Sequence, residues 1–117
     1  MTHIISNFDV LATNQSRIDA LSIMEEGYKA IDTTLIVKNK VSLHDGVLSV
    51  LGKTFTLKDY ERIFIVGFGK ASCKAVQALE EVLGDELDGG IVIDKHASVC
   101  RVVNVFQGSH PMTSKKN

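Results

Sequence analysis

Three short clusters hold the groups of this sequence that could do chemistry. Gly67-Phe68-Gly69-Lys70-Ala71-Ser72 sets two glycines beside a cation and a hydroxyl. Asp94-Lys95-His96 and Gly108-Ser109-His110-Pro111 add a second cation, two imidazoles and another hydroxyl. Together these groups suit the binding of a small anion. Glycines let a phosphate or carboxylate come close to backbone N–H groups, and a lysine adds a full charge at the same place. Pro111 holds His110 in an extended conformation, as a fixed ligand-facing side chain requires. Ser72 has no evident base partner, so nucleophilic catalysis gains little support. His3, His44, His96 and His110 show no metal-ligand spacing, and Cys73 and Cys100 do not join them, so no metal site is expected.

These clusters need a scaffold, and the chain supplies one around residues 62–83. Ile63-Phe64-Ile65-Val66 is an apolar run long enough for a buried strand over 62–67. The chain then turns on 67–69 and enters a helix over 70–83, where Ala71, Ala75, Ala78, Leu79 and Val82 recur at helical spacing. Gly84 follows as its C-cap. Gly89-Gly90 precede a second apolar strand, Ile91-Val92-Ile93, and residues 101–106 read as a third. Strand, helix, strand predicts a right-handed βαβ unit and a parallel sheet flanked by helices, a Rossmann-like α/β fold. In such sheets ligands bind beyond the carboxyl ends of the strands. The three clusters occupy those ends, so the topology brings them together.

Upstream, Ile18, Leu21, Met24, Tyr28 and Ile31 form an apolar stripe on a helix over 15–31, capped by Asn14 or Ser16. A shorter helix can form around Ile4–Leu11. Thr34-Leu35-Ile36-Val37 fits a short strand or a helical turn equally well. Asp45-Gly46 and Gly52-Lys53 are turn signals, and the alternation of Thr54-Phe55-Thr56-Leu57 predicts a small β-hairpin over 46–57.

The bulk composition narrows the function classes. Of the 117 residues 44% are hydrophobic and 23% charged, enough to build one core and too apolar for disorder. A net charge of −1 gives no global pull toward nucleic acid or anionic lipid. No apolar run approaches the roughly 18 residues of a membrane helix. The N-terminus lacks the pattern of a signal peptide, and two cysteines do not make a disulfide framework, so a cytoplasmic protein with free thiols is expected. The sequence closes on a polar loop directly after a strand, and the chain reads as an incomplete domain.

The Gly67–Ser72 turn admits several readings. A Walker A loop needs glycine where Phe64 stands and Ser or Thr where Ala71 stands, which excludes it. The dinucleotide pattern G-x-G-x-x-G matches Gly67 and Gly69 but meets Ser72 at the third glycine. Asp94 would then be the acid that binds a ribose. That version implies a nicotinamide-dependent oxidoreductase. The third version is a phosphate or carboxylate cradle built from backbone amides and Lys70, and the bland alternative is a solvated lysine at a tight turn.

The order of these features resembles the N-terminal part of the type II glycerate kinases, the MOFRL-domain group also labelled hydroxypyruvate reductases. The resemblance runs through Ala30-Ile31-Asp32, the hairpin leading to Leu57 and Tyr60-Glu61-Arg62, the Ile63–Lys70 strand and turn with Ala71, Leu79–Asp85, Gly89–Ile93 with Lys95, and Gly108-Ser109-His110-Pro111. It covers residues 15–117. It implies an enzyme that moves the γ-phosphoryl group of ATP, with Mg2+, to D-glycerate. Lys70 would be the catalytic residue, with Gly67, Gly69, Ser72, Lys95 and His110 binding substrate or phosphate. The family's members are several times longer. The resemblance therefore implies that residues 1–117 are an N-terminal portion without the second domain, inactive alone, with the nucleotide site elsewhere. A homo-oligomer is compatible with this reading, and so is a non-catalytic remnant that self-associates through a sheet edge. Two positions depart from the family pattern. His96-Ala97 follows Lys95 where relatives carry Gly-His, and Thr113-Ser114-Lys115 stands where an acidic pair is common.

Overall fold

Two tight turns fold residues 41–56 into an antiparallel meander, because both central residues of each turn hold positive φ. Asp45 and Gly46 lie at 49° and 73°, and Leu51 and Gly52 at 50° and 82°. This is the backbone pattern of hairpin turns whose twist matches the strands. The computed structural model describes residues 2–109 and 111–115. In chain order the elements are α1 (Phe8–Leu11), α2 (Gln15–Ala30), α3 (Thr33–Lys40), β1 (Val41–His44), β2 (Val47–Val50), β3 (Lys53–Thr56), β4 (Phe64–Phe68), α4 (Ser72–Leu83), β5 (Gly89–Asp94) and β6 (Asn104–Gln107). Single 3-10 turns follow β3 and α4.

The strands form two sheets. The meander β1-β2-β3 is antiparallel, and β4-β5-β6 is parallel in that order. Val66 pairs with Ile91, which in turn pairs with Asn104. The expected α/β parallel sheet, the βαβ unit and the small hairpin are all present. The hairpin gains β1, which the four-residue alternation of 41–44 is too short to announce. Thr33–Lys40 is helical despite its β-branched residues. Asp32 settles the choice, since its side chain accepts the Leu35 N–H at 3.0 Å and caps the helix.

The helix α4 is the hub. One face packs on the parallel sheet, and α3 and β1 lie against it on another side. Its buried residues are Cys73, Val76, Ala78, Glu80 and Leu83. Of the expected stripe of Ala71, Ala75, Ala78, Leu79 and Val82, Ala78 is buried and Ala75, Leu79 and Val82 are half-buried. Leu57, Val76, Leu83, Leu87, Val92 and Val103 make the core between helix and sheet. Ion pairs from Lys74 to Asp32 (2.9 Å) and from Lys38 to Glu81 pin α3 to α4.

The start of β6 is decided by one buried acid. Residues 101–103 are as strand-like as those that follow, yet they make no ladder. Their three N–H groups point instead at Glu80, with N···O distances of 2.6, 2.8 and 2.8 Å. β6 therefore begins at Asn104 rather than at 101. Burial would raise the Glu80 carboxyl, but the amides of Val103, Val102 and Arg101, with the Arg101 charge, outweigh it and hold it below its ordinary value.

Two surfaces lack a cover among the described residues. The first is the stripe on α2, where Met24, Tyr28 and Ile31 face outward and only Glu25 is buried. Glu25 accepts from His3 Nδ1 (2.9 Å) and from the Ile5 N–H (3.0 Å), which ties the N-terminal segment to α2. The second is the sheet face opposite α4. Phe64, Val66 and Phe68 point there, with Val66 79% and Phe68 82% exposed, beside Ile91 and Phe106. Parallel sheets are ordinarily covered on both faces. The radius of gyration, 18.1 Å, exceeds the about 13 Å of a compact chain this long, in keeping with those bare faces.

Candidate functional site

At the carboxyl end of the parallel sheet the ladder continues into the loops. Gly69 donates its N–H to Ile93 O at 3.1 Å, and Gly108 donates to Asp94 O at 3.0 Å. These two bonds draw the turn after β4, the end of β5 and the loop after β6 into one place. The result is a cleft of about 430 Å3. Its floor is the open sheet face, with Val66, Phe68, Ile91 and Ile93, and its rim carries Lys70, Lys95 and Ser109.

Each expected site residue except His110 has a definite place. Lys70 is exposed on the turn before α4 and lines the cleft. Lys95, on the next loop, lines the same cleft. Neither lysine makes an ion pair among the described residues. Gly69 has φ +114° with open space where a Cβ would sit, so the turn requires glycine for its conformation. Gly67 also lines the cleft, but its missing side chain serves packing. A Cβ there would stand 3.2 Å from Val76 Cγ2 and 3.2 Å from Val92 Cγ2. Ser72 is not on the cleft wall. Its hydroxyl lies 2.7 Å from Gly69 O and 2.9 Å from Ile93 O, and donates to that pair of carbonyls to hold the turn shut. His110 lies outside the described residues.

Asp94 has a role that its place in the sequence does not reveal. It is 3% exposed. One carboxylate oxygen accepts the Cys73 N–H at 2.8 Å and the other the His96 N–H at 2.9 Å. The end of β5 thus caps α4 with a carboxylate, a favourable partner for the positive end of a helix. A ribose acid would have to present these oxygens to a ligand, and here the carboxylate is buried with an amide on each oxygen. Ahead of the cap, the amides of Lys70 and Ala71 donate to no backbone acceptor among the described residues. Two lysines and the Lys70 amide therefore border one cleft, an arrangement that can hold a phosphate or a carboxylate. No helix of the described chain is long and apolar enough to cross a membrane.

Residues 19–117 match the family model described as a domain of unknown function, DUF4147. A glycerate 2-kinase of Pyrococcus horikoshii is 27% identical over 99 residues, covering 83% of this chain and 22% of that protein. A glycerate 2-kinase of Picrophilus torridus is 26% identical over 112 residues, 93% of this chain and 25% of its own length. A glycerate kinase of Danio rerio is 29% identical over 77 residues, 66% of this chain and 15% of its own. A crystal structure of a Pyrococcus horikoshii OT3 protein superposes with a TM-score of 0.75 at 26% identity, over 89% of this chain and 23% of that one. The chain thus spans a quarter or less of the length of these relatives. It belongs to the DUF4147 family, the N-terminal part of the MOFRL-type glycerate kinases.

Proposed function

We propose that residues 1–117 supply the anion cradle of a glycerate 2-kinase, and that Lys70 is its catalytic cation. The observation that carries this reading is the Lys70 turn: among the described residues its ammonium makes no ion pair and its amide donates to no backbone acceptor, and it lines one cleft with Lys95. In the whole enzyme the γ-phosphoryl group of ATP passes to a hydroxyl of D-glycerate. Phosphoryl transfer depends mostly on position and charge, so a lysine at this place would neutralise the glycerate carboxylate or the moving phosphoryl oxygens. Gly69 would let the backbone approach, Gly67 and Ser72 would hold the turn in shape, and Lys95 would add its charge to the cleft.

The described residues contain no group of three or more His, Cys, Asp or Glu side chains fit to hold a metal ion. Asp94, the acid at the strand ends, is committed to two amides. We assign the metal and the nucleotide to the part of the enzyme that this chain does not span. On this reading the chain binds small anions and does not phosphorylate glycerate by itself. Titration of the purified chain with D-glycerate or inorganic phosphate, followed by amide chemical shifts, tests it. Shifts centred on residues 67–71 and 95, with a midpoint about tenfold higher in Lys70→Ala, are expected. Binding that Lys70→Ala leaves intact would sink it.

A further inference from the structure

We infer that Cys73 and Cys100 form a redox-modification site, closing to an intramolecular disulfide when a peroxide oxidises them. The two sulfurs lie 3.9 Å apart. One is on the first turn of α4 and the other on the loop that leads into β6, 27 positions later in the chain. A disulfide sets its sulfurs about 2.05 Å apart. Closure thus needs a movement of about 2 Å, within reach of side-chain rotation and a small shift of the loop.

Both thiols border open space. Cys73 is buried, yet it forms part of the wall of a cleft of about 400 Å3 shared with Lys70, Lys74 and His96. Cys100 is half-buried and lines a second cleft of about 390 Å3 on the other side of the loop. The clefts bring a molecule as small as hydrogen peroxide up to both residues, with the Cys73 sulfur 3.5 Å from Ser98 O behind the first. Burial, then the hydrogen bond with Cys73, pushes the Cys100 thiol up to about 12. Cys100 therefore keeps its proton at neutral pH, and Cys73 is the sulfur that meets the oxidant.

The chemistry takes two steps. The Cys73 sulfur bonds to one peroxide oxygen, the O–O bond breaks, and the hydroxide that leaves takes up the proton that Cys73 gives up, becoming water. Cys73 is then a sulfenic acid. The Cys100 sulfur attacks the Cys73 sulfur, the S–O bond breaks, and the oxygen departs as water with the proton from Cys100. Two thiols lose two hydrogens and one hydrogen peroxide becomes two waters. The bond would join the loop to the turn that Asp94 and Ser72 already clasp, three residues from Lys70. The site stands on thiol geometry alone and does not depend on the kinase reading.

The test is peptide mapping of the purified chain after stoichiometric hydrogen peroxide. We expect the Cys73 and Cys100 peptides joined, the mass lowered by one hydrogen molecule, and both thiols restored by dithiothreitol. In Cys100→Ser the cross-link is absent and Cys73 carries oxygen instead. Cys73→Ala should leave Cys100 a free thiol, and if that variant does not fold, Cys100→Ser decides. A disulfide between chains, a sulfinic acid without a cross-link, or unchanged thiols in the wild type would each overturn the proposal.

Discussion

The Glu80 carboxylate accepts the Val103 N–H at 2.8 Å, and this contact fixes where β6 begins. The same carboxylate takes the Val102 and Arg101 amides, so one side chain on α4 holds three consecutive backbone donors. Replacing it by alanine strands those donors at the edge of the core. Glu80→Ala should lose about 3 kcal/mol or more, read as a lower urea midpoint with an unchanged slope.

Acid should act through the same group. The Glu80 carboxyl is held below its ordinary value of 4.5 in the folded chain. Glu25 is lowered by the His3 hydrogen bond and the Ile5 amide, and Asp32 by Lys74 and the Leu35 amide. A carboxyl depressed by folding contributes stability that is present above its unfolded pKa and is lost as pH falls through the folded value. Stability is therefore expected to hold from neutral pH down to near 4.5 and to decline below it. Glu80→Gln should flatten part of that decline in melts run across the acid range.

Glycines in β4 and β5 differ sharply in what they tolerate. A Cβ on Gly90 would overlap the Ile65 carbonyl, which belongs to rigid paired backbone. A Cβ on Gly67 would meet only two valine methyls at 3.2 Å. Gly67→Ala should cost about 1–3 kcal/mol as an overpacked contact. Gly90→Ala should cost more than this and leave little folded chain by circular dichroism.

Lys70 and Lys95 are both exposed and neither makes an ion pair among the described residues. Their removal should therefore leave the melting temperature almost unchanged. Each alanine variant should weaken phosphate binding by about tenfold, the effect of one charge-assisted hydrogen bond. A double variant measured beside the single ones tells whether the two act on one anion.

Phe68 is 82% exposed on the bare sheet face. Phe68→Ser should lower the fluorescence of a bound apolar dye while sparing stability, since the ring buries little in the described chain. An unchanged dye signal would mean that the dye binds elsewhere.

Much of this architecture is legible in residues 62–94, because an apolar run, paired glycines and a helical repeat announce their own boundaries. The strand-end rule likewise places Gly69, Lys70 and Lys95 around one cleft without any coordinates. What escapes is whatever depends on a partner distant in the chain. Arg101-Val102-Val103 reads as strand, and nothing local says that Glu80 will claim its amides. The helical phase of Cys73, Val76 and Leu83 does point Glu80 inward, and this is the signal that could have exposed it. Asp94 looks like a ligand until the Cys73 amide is found on it. The stripe on α2 has sound periodicity yet faces solvent, because periodicity shows which face is apolar and not what will cover it. Cys73 and Cys100 meet only because α4 and the 95–103 loop fold back on one another.

With Asp94 already seated on the Cys73 amide, α4 has little of its macrodipole left to lend to a guest. Attraction into the cleft falls mainly to two solvent-facing ammonium groups, whose reach is about 8 Å at physiological ionic strength. Occupancy should therefore decay steadily as sodium chloride is raised, and sulfate should displace phosphate almost one for one. A pocket of this kind senses charge before shape, and discrimination among anions has to come from whatever closes over its apolar floor.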